Sequence, residues 1–304
     1  MTTSEQQTRA GVLFAIAAYG MWGFAPMYFK LLQYMPATEI LVHRVVWSAV
    51  ILIVLITLRN NWSKVKAAIT SKKVMLILLV AGVLLAGNWL LFIWAVNNDH
   101  LLEASLGYYI NPLFNILFGR IFLGERLRRL QKVAVLLAIS GVAVAIAGLG
   151  YLPWIALVLA VSFSLYGLLR KTVAVDSLPG LLIETMMMLP LAVIYWSLYA
   201  SPSSNMLANT FDINILLIMA GLVTTAPLLC FTAAARRIQY STLGFFQYIG
   251  PSIMFILAVF FYNEPIDQAR VITFGFVWTA LVIFCWDSLR NYRLTRKAAK
   301  ARPV

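Results

Sequence analysis

The chain has 304 residues, of which 62% are hydrophobic and only 12% are charged, whereas soluble domains carry about 25% charged residues. This composition excludes an ordinary soluble globular domain, and it excludes a disordered chain, which needs low hydrophobicity. The net charge of +13 does not indicate a nucleic-acid partner, because the basic residues lie between apolar stretches and no nucleic-acid-reading motif accompanies them.

Ten apolar runs are long enough to cross a membrane as helices, which takes about 20 residues each. They are far longer than the roughly ten-residue alternating strands of a membrane barrel. The runs are Gly11–Phe29, Ala37–Leu58, Val74–Val96, Ser105–Leu123, Val133–Leu149, Leu152–Leu169, Leu181–Ala200, Ile213–Ala235, Leu243–Tyr262 and Val271–Ser288. The sequence therefore predicts an all-α membrane protein with ten transmembrane helices.

Some of the apolar runs have features that affect how they are interpreted. The first is longer than the apolar core of a signal peptide, so it is predicted to be an uncleaved helix. The fourth is the most polar, since it contains Asn111, Asn115 and Arg120. The fifth and sixth could be one segment, but Gly150 and Pro153 predict a tight turn between them.

The distribution of lysine and arginine predicts the orientation. Of the 24 basic residues, all but Lys30, Arg44 and Arg270 fall on one side of a ten-helix chain. Short cytoplasmic loops collect these residues. We therefore expect both termini in the cytoplasm.

The two halves of the chain repeat one another. Pro112 precedes Glu125 by 13 residues, and Pro251 precedes Glu264 by 13 residues, so each residue is displaced by 139 from its counterpart. Because five helices is an odd number, the second half must enter the membrane from the opposite face. Inverted repeats of this kind are typical of secondary transporters, although duplication kept for packing alone gives the same pattern. The predicted units are residues 9–149, 150–289 and a basic cytoplasmic tail, 290–304.

Among the ionisable residues inside apolar runs, Arg44 and Glu184 are the two candidates for transport, and they lie 140 residues apart. Such groups cost at least about 2.5 kcal/mol near the membrane centre and usually face an aqueous cavity or a partner. Their predicted depths differ, so we expect separate roles rather than one ion pair. Arg44 would attract an anionic or carboxylate-bearing substrate, and Glu184 would couple protons or contact a cation. The alternative is that each satisfies a neighbouring helix.

Amides and aromatic side chains in the middle of helices complete the predicted cavity, since small-molecule sites combine apolar walls with a few polar anchors. Interhelical hydrogen bonding and packing are the competing uses of these residues. Pro112 and Pro251 interrupt helices and are hinge or gate candidates, or static kinks. The cavity candidates besides Arg44 and Glu184 are Tyr19, Trp22, Asn88, Trp89, Tyr108, Asn111, Phe245 and Gln247.

Several segments resemble a known family. Trp22-Gly23, the stretch from Ala104-Ser105-Leu106 through Asn111-Pro112 to Leu123-Gly124-Glu125, and its echo in the ninth run resemble the EamA module of the drug/metabolite transporter superfamily. Residues 87–97, His43-Arg44 and residues 241–247 resemble its RarD subgroup of bacterial permeases. The resemblance covers about residues 9–290 and implies ten helices, two EamA repeats and a bacterial inner-membrane location. The second copy departs from the first, reading Tyr262-Asn263-Glu264.

The expected function is secondary transport, by alternating access, of small metabolites or amphiphilic drugs. Two histidines and two cysteines in separate segments do not predict a metal site, and without a phosphate-binding loop no cofactor or ATP-driven step is expected. The expected partners are a small-molecule substrate and the lipid bilayer, not nucleic acid. A membrane-embedded enzyme and a scaffold or receptor are the alternatives. Substrate, direction, coupling ion and oligomeric state, a homodimer included, do not follow from the sequence.

Overall fold

The computed structural model describes residues 3–98, 100–262 and 268–300, and over this part the fold is helical without a β-strand. The all-α prediction is therefore confirmed. The helices are α1 (Thr3–Leu31), α2 (Ala37–Leu58), α3 (Trp62–Thr70), α4 (Lys72–Asn97), α5 (Leu101–Leu123), α6 (Arg129–Leu149), α7 (Trp154–Thr172), α8 (Ser177–Tyr199), α9 (Phe211–Ala235), α10 (Tyr240–Gln247), α11 (Ile249–Phe260) and α12 (Gln268–Lys300), with a 3₁₀ turn at Pro202–Ser204. Glu264 and Asn263 of the predicted repeat, and residues 301–304 of the tail, lie outside the described residues.

Nine helical stretches in the described ranges are long and apolar enough to cross a membrane, with α10 and α11 counted together. The remaining predicted span corresponds to α5, a helix of 23 residues. Its polar residues, including Glu103, Asn111, Asn115 and Arg120, lower its mean hydropathy below that of the other spans.

Two connections follow local rules of chain geometry. The predicted turn between the fifth and sixth runs is present, because α6 ends at Gly150, whose φ of +77° is accessible to glycine. The loop 59–73, by contrast, contains a helix that was not predicted. In α3, Val65 and Ala68 are buried, so an apolar stripe on this short basic segment packs against the bundle.

The ninth predicted helix is divided rather than continuous. The segment α10 ends at Gln247 and α11 begins at Ile249. Pro251 has no backbone N–H and its ring clashes with the carbonyl four residues earlier, which belongs to Gln247. Pro112 lies inside α5, which is continuous, so the two predicted hinge residues differ in their local structure.

Helices of the two halves interleave. The closest packing pairs α6 with α12, α5 with α7 and α10, α2 with α8 and α9, α1 with α9 and α11, and α4 with α7. We call the end of the bundle where α1 begins and α3 lies the basic end, and the opposite end, with the α1–α2 and α8–α9 connections, the far end.

Candidate functional site

Arg44 is surrounded by side chains from four other helices near the far end. Its Nε donates to Oγ1 of Thr224 on α9 at 2.8 Å. The ring of Trp89 on α4 lies 4.7 Å from the guanidinium carbon, and the ring of Phe29 on α1 lies 5.5 Å from it. Tyr108 on α5 is within electrostatic range. These contacts fix the position of the guanidinium inside the bundle.

The space around Arg44, bounded by Phe29, Arg44, Trp89 and Tyr108, is called the far-end vestibule. Arg44 and Trp89 are part-exposed, and Tyr108 is 40% exposed. The two Nη atoms of Arg44 have no hydrogen-bond partner within the described residues. These side chains are therefore partly exposed, and the Nη edge of the Arg44 guanidinium is unengaged within the described residues.

Glu184 lies nearer the basic end and is sealed from solvent. Its Oε1 is 3.5 Å from Nη1 of Arg170, and both side chains are 0% exposed. The hydroxyl of Tyr166 donates to Oε2 at 3.4 Å. Arg44 and Glu184 thus have separate partners, and Glu184 pairs with an arginine of its own half.

The Arg170–Glu184 pair is incompletely hydrogen-bonded. Nε and Nη1 of Arg170 and Oε1 of Glu184 are buried without hydrogen-bond partners, and Nη2 of Arg170 donates to the carbonyl of Ser177 at 3.1 Å. The guanidinium lies against Gly180, where an added Cβ would overlap Nη1 and approach Cζ to 2.8 Å. The pair is therefore close-packed but incompletely hydrogen-bonded.

A small cavity lies between the two charged groups. It has a volume of about 10 Å³, at the lower limit for one water molecule. Its polar lining includes Ser48, Thr185, Thr224 and Thr225. Thr224 binds Arg44, and Thr185 follows Glu184 in sequence, so this nearly closed space separates the two groups.

The predicted cavity amides Asn88 and Asn111 bind neighbouring helices. Nδ2 of Asn88 donates to the carbonyl of Leu159 at 2.8 Å and to Ser162 at 2.9 Å. Nδ2 of Asn111 donates to the carbonyl of Ala160 at 2.7 Å and to Ser164 Oγ at 2.8 Å. Both amides thus tie their helices to α7, the competing use expected from the sequence.

The remaining predicted residues fall into two groups away from Arg44. Tyr19 and Trp22 pack in an aromatic cluster with Phe231, beside Tyr166 and therefore near Glu184. Phe245 stacks on Phe284 with ring centroids 3.8 Å apart. Gln247 accepts a hydrogen bond from Asn115 at 2.7 Å. The structure thus brings together Arg44, Trp89 and Tyr108, and places the other candidates elsewhere in the bundle.

Three acidic residues bind backbone N–H groups at helix starts. Glu125 accepts from the N–H groups of Tyr240 and Ser241, at 2.6 and 2.8 Å, and from the hydroxyl of Ser241 at 2.7 Å. At the far end, Glu39 accepts from Ser201 and Glu103 accepts from Ile155. Carboxylates at helix N-termini satisfy free donors and complement the helix dipole, so these residues join the halves structurally.

The basic end is also joined by a surface network. Asp176 accepts from Lys64 of α3 at 2.8 Å and from Arg236 at 3.1 Å. The hydrogen bond from Lys64 is the main cause that holds the pKa of Asp176 below its usual range, against a smaller effect of burial. Lys171 donates to the carbonyls of Ala235 and Ile238 at the end of α9. These bonds connect α3 of the first half with α7, α8 and α9.

Sequence reasoning missed Arg170, Thr224 and Phe29 as members of these sites. In the sequence Arg170 contributes to the predicted topology and matches Lys30 at an offset of 140, but it lies 14 residues before Glu184 and is not predicted as its partner. Threonine and phenylalanine carry no distinguishing signal in an apolar chain. Their roles depend on tertiary contacts between helices distant in sequence.

Comparison with known proteins assigns the family. Residues 9–147 match the EamA-like transporter family. The chain is 56% identical to Protein RarD of Escherichia coli (strain K12), over 96% of this chain and 99% of that protein. It is 53% identical to an uncharacterized transporter of Vibrio cholerae, over 98% and 99% of the two chains. A crystal structure shares the fold with a TM-score of 0.70 at 18% identity, covering 90% of this chain and 96% of that chain.

Proposed function

The chain belongs to the EamA-like transporter family as a RarD-type permease, and we propose that it is a secondary carrier that works by alternating access. Its family and its apolar helices make it a multi-pass membrane transporter. In our proposal it exports small metabolites or amphiphilic drugs across the bacterial inner membrane, with both termini in the cytoplasm.

The proposal includes ten spans, α5 among them, arranged as inverted repeats over residues 9–149 and 150–289, followed by the basic tail 290–304. The helix pairings support this arrangement, because each has a counterpart in the other half. The α5–α7 pair corresponds to α1–α11, the α2–α9 pair to α4–α8, and the α1–α9 pair to α4–α7. A two-fold axis in the membrane plane produces such a pattern.

The difference in exposure between the two ends carries the proposed mechanism. Arg170 and Glu184 are fully buried, whereas Arg44 is part-exposed and Tyr108 is 40% exposed. In this conformation the far end would be open and the basic end closed. Since the basic end collects the lysine and arginine residues, we assign it to the cytoplasm.

Protonation of Glu184 would drive the change of conformation. A neutral Glu184 leaves Arg170 as an uncompensated buried charge, and removing one member of a buried pair costs about 3–5 kcal/mol. Opening of the basic end would then hydrate Arg170. The break between α10 and α11 before Pro251, and Pro112 in α5, are the proposed points of bending.

Transport by proteoliposomes tests this mechanism. A panel of labelled metabolites and amphiphilic drugs would be screened with and without an imposed pH gradient, using the full chain, Glu184→Gln and the control Asp212→Asn, which changes an exposed acid at the far end. We expect gradient-stimulated transport by the full chain and the control, and loss of the gradient response in Glu184→Gln.

An unchanged gradient response in a correctly inserted Glu184→Gln protein would remove the coupling role. Absence of transport for every solute would contradict the carrier function itself. Chemical conversion of a solute would instead favour an enzyme.

A further inference from the structure

The two ends of the bundle differ in charge at positions that the repeat makes equivalent. Arg170 and Glu184 lie 140 residues after Lys30 and Arg44, respectively. At the basic end the two positions form an ion pair. At the far end both residues are cationic, so the corresponding contact cannot form. Lys30 instead lies over the ring of Tyr262, with Nζ 3.6 Å from the ring centroid.

Arg44 has no carboxylate within 4 Å in the parts of the chain that the structure describes. Its neighbours are a hydroxyl and aromatic rings, which stabilise a cation but do not neutralise it. An uncompensated charge on a membrane-spanning helix is costly. A site that keeps such a charge is suited to an anion supplied from outside the protein.

The contacts of the guanidinium leave one edge free. Thr224 binds Nε, and the guanidinium carbon lies over the ring of Trp89, while the edge formed by the two Nη atoms is unengaged within the described residues. That edge carries parallel N–H donors, the geometry that binds a carboxylate through both oxygens. The protein therefore holds Arg44 in an orientation that favours one planar oxyanion.

We propose that the far-end vestibule binds a small organic monocarboxylate, with its carboxylate on the Nη edge of Arg44 and its apolar body against Trp89 and Tyr108. This inference rests on the proposed carrier function and defines its substrate class. The apolar body follows from the aromatic lining, in which Phe92 also packs beside Tyr108 with ring centroids 6.1 Å apart.

The lack of a carboxylate within 4 Å of Arg44 in the described residues argues against zwitterions such as amino acids. An ammonium group beside the bound carboxylate would need an acceptor, and the polar side chain that contacts Arg44 is a threonine that already donates to the carbonyl of Ala220. Glu39 and Glu103, the buried acids at the far end among the described residues, already accept backbone N–H groups. The substrate is thus a net anion, not merely a molecule with a carboxylate.

Three probes of matched shape test the proposal with the purified full chain in detergent. These are 3-phenylpropionate, its uncharged amide 3-phenylpropionamide, and phenylalanine, which adds an ammonium group to the same body. Binding would be measured by calorimetry for the full chain, Arg44→Gln, Arg44→Lys and the control Arg59→Gln, at an exposed position near the other end of α2.

We expect 3-phenylpropionate to bind more tightly than either other probe. Arg44→Gln should weaken its binding about tenfold or more, since a charge-assisted bidentate contact is lost. Arg44→Lys keeps the charge without the two parallel N–H donors, so its affinity for 3-phenylpropionate should be intermediate. This variant also tests the proposal if Arg44→Gln does not fold. Arg59→Gln should bind normally.

Equal affinity for the three probes, or unchanged affinity in both Arg44 variants, would overturn the proposal. An anionic lipid headgroup offers the same chemistry, so binding is repeated in phosphatidylcholine nanodiscs with and without phosphatidylglycerol. Arg44-dependent displacement of 3-phenylpropionate by phosphatidylglycerol would assign the site to lipid and also overturn it. If carboxylates bind but are not transported, the carrier function is contradicted and this inference is not. If uncharged solutes are transported and Arg44→Gln leaves that transport unaffected, this inference is contradicted and the carrier function is not.

Discussion

At the scale of single residues, the Arg170–Glu184 pair is suited to a gate more than to stability. Desolvation of two buried charges offsets most of their attraction, so such pairs add little net stability. Three of the polar atoms in this pair also have no hydrogen-bond partner. In the proposed mechanism, such a contact would hold the basic end closed when both groups are charged and would be weakened when Glu184 is neutral.

Gly180 is the residue that admits the Arg170 guanidinium. Gly180→Ala should lower the unfolding free energy by about 1–3 kcal/mol, because an added methyl group must displace a packed side chain. Gly275→Ala is the matched control, since no atom lies within 4 Å of a Cβ at that position. We expect its free energy of unfolding to rise by no more than about 1 kcal/mol, because alanine favours the helix more than glycine does. Equal melting temperatures for the two variants in detergent would contradict the close packing at Gly180.

At the scale of helices, carboxylates from one half bind the helix starts of the other. Glu125, at the end of the motif that the sequence repeats, accepts three hydrogen bonds at the start of α10. The motif that begins at Pro112 in α5 therefore ends in a residue that caps α10. A structural role explains this glutamate without a part in substrate binding.

Glu125→Gln tests that role. The variant keeps one acceptor oxygen but loses the charge, so we expect a loss of about 1–3 kcal/mol in unfolding free energy. Asp212→Asn, in the exposed first turn of α9, should cost at most about 1 kcal/mol, the effect of the helix dipole alone. Thermal melting of both variants in detergent would distinguish them, and an undisturbed Glu125→Gln protein would show that these bonds are not needed.

Hydropathy predicted the helices because the membrane sets their length and polarity. It could not predict α3, whose stability comes from burying Val65 and Ala68 against the bundle. It singled out Arg44 and Glu184, since charges are rare in apolar runs. It did not identify their partners, because Thr224 lies 180 residues from Arg44 and only packing brings them together.

At the scale of the whole molecule, the proposed closure of the basic end would be stabilised by bonds between the halves. Asp176 contacts Lys64 of the first half and Arg236 of the second. Asp176 is about half-exposed, and contacts of exposed groups contribute at most about 1 kcal/mol. That amount changes a two-state population about fivefold, which is enough to bias alternating access without locking it.

Asp176→Asn should therefore favour opening of the basic end. With Cys230 and Cys285 replaced by alanine and a cysteine introduced by Thr185→Cys, beside sealed Glu184, we expect thiol labelling in proteoliposomes at pH 7 to rise up to about fivefold. Asp212→Asn, at the far end, should leave labelling unchanged.

The same contact predicts a pH dependence. Because the folded-state pKa of Asp176 is depressed, its contribution is present above the unfolded value of about 3.9 and is lost as the pH falls through the lower folded value. The stability difference between the full chain and Asp176→Asn should accordingly be constant from pH 7 to about pH 5 and vanish below the folded pKa. A difference that persists at the lowest pH, or labelling that does not rise, would show that Asp176 does not help to close the basic end.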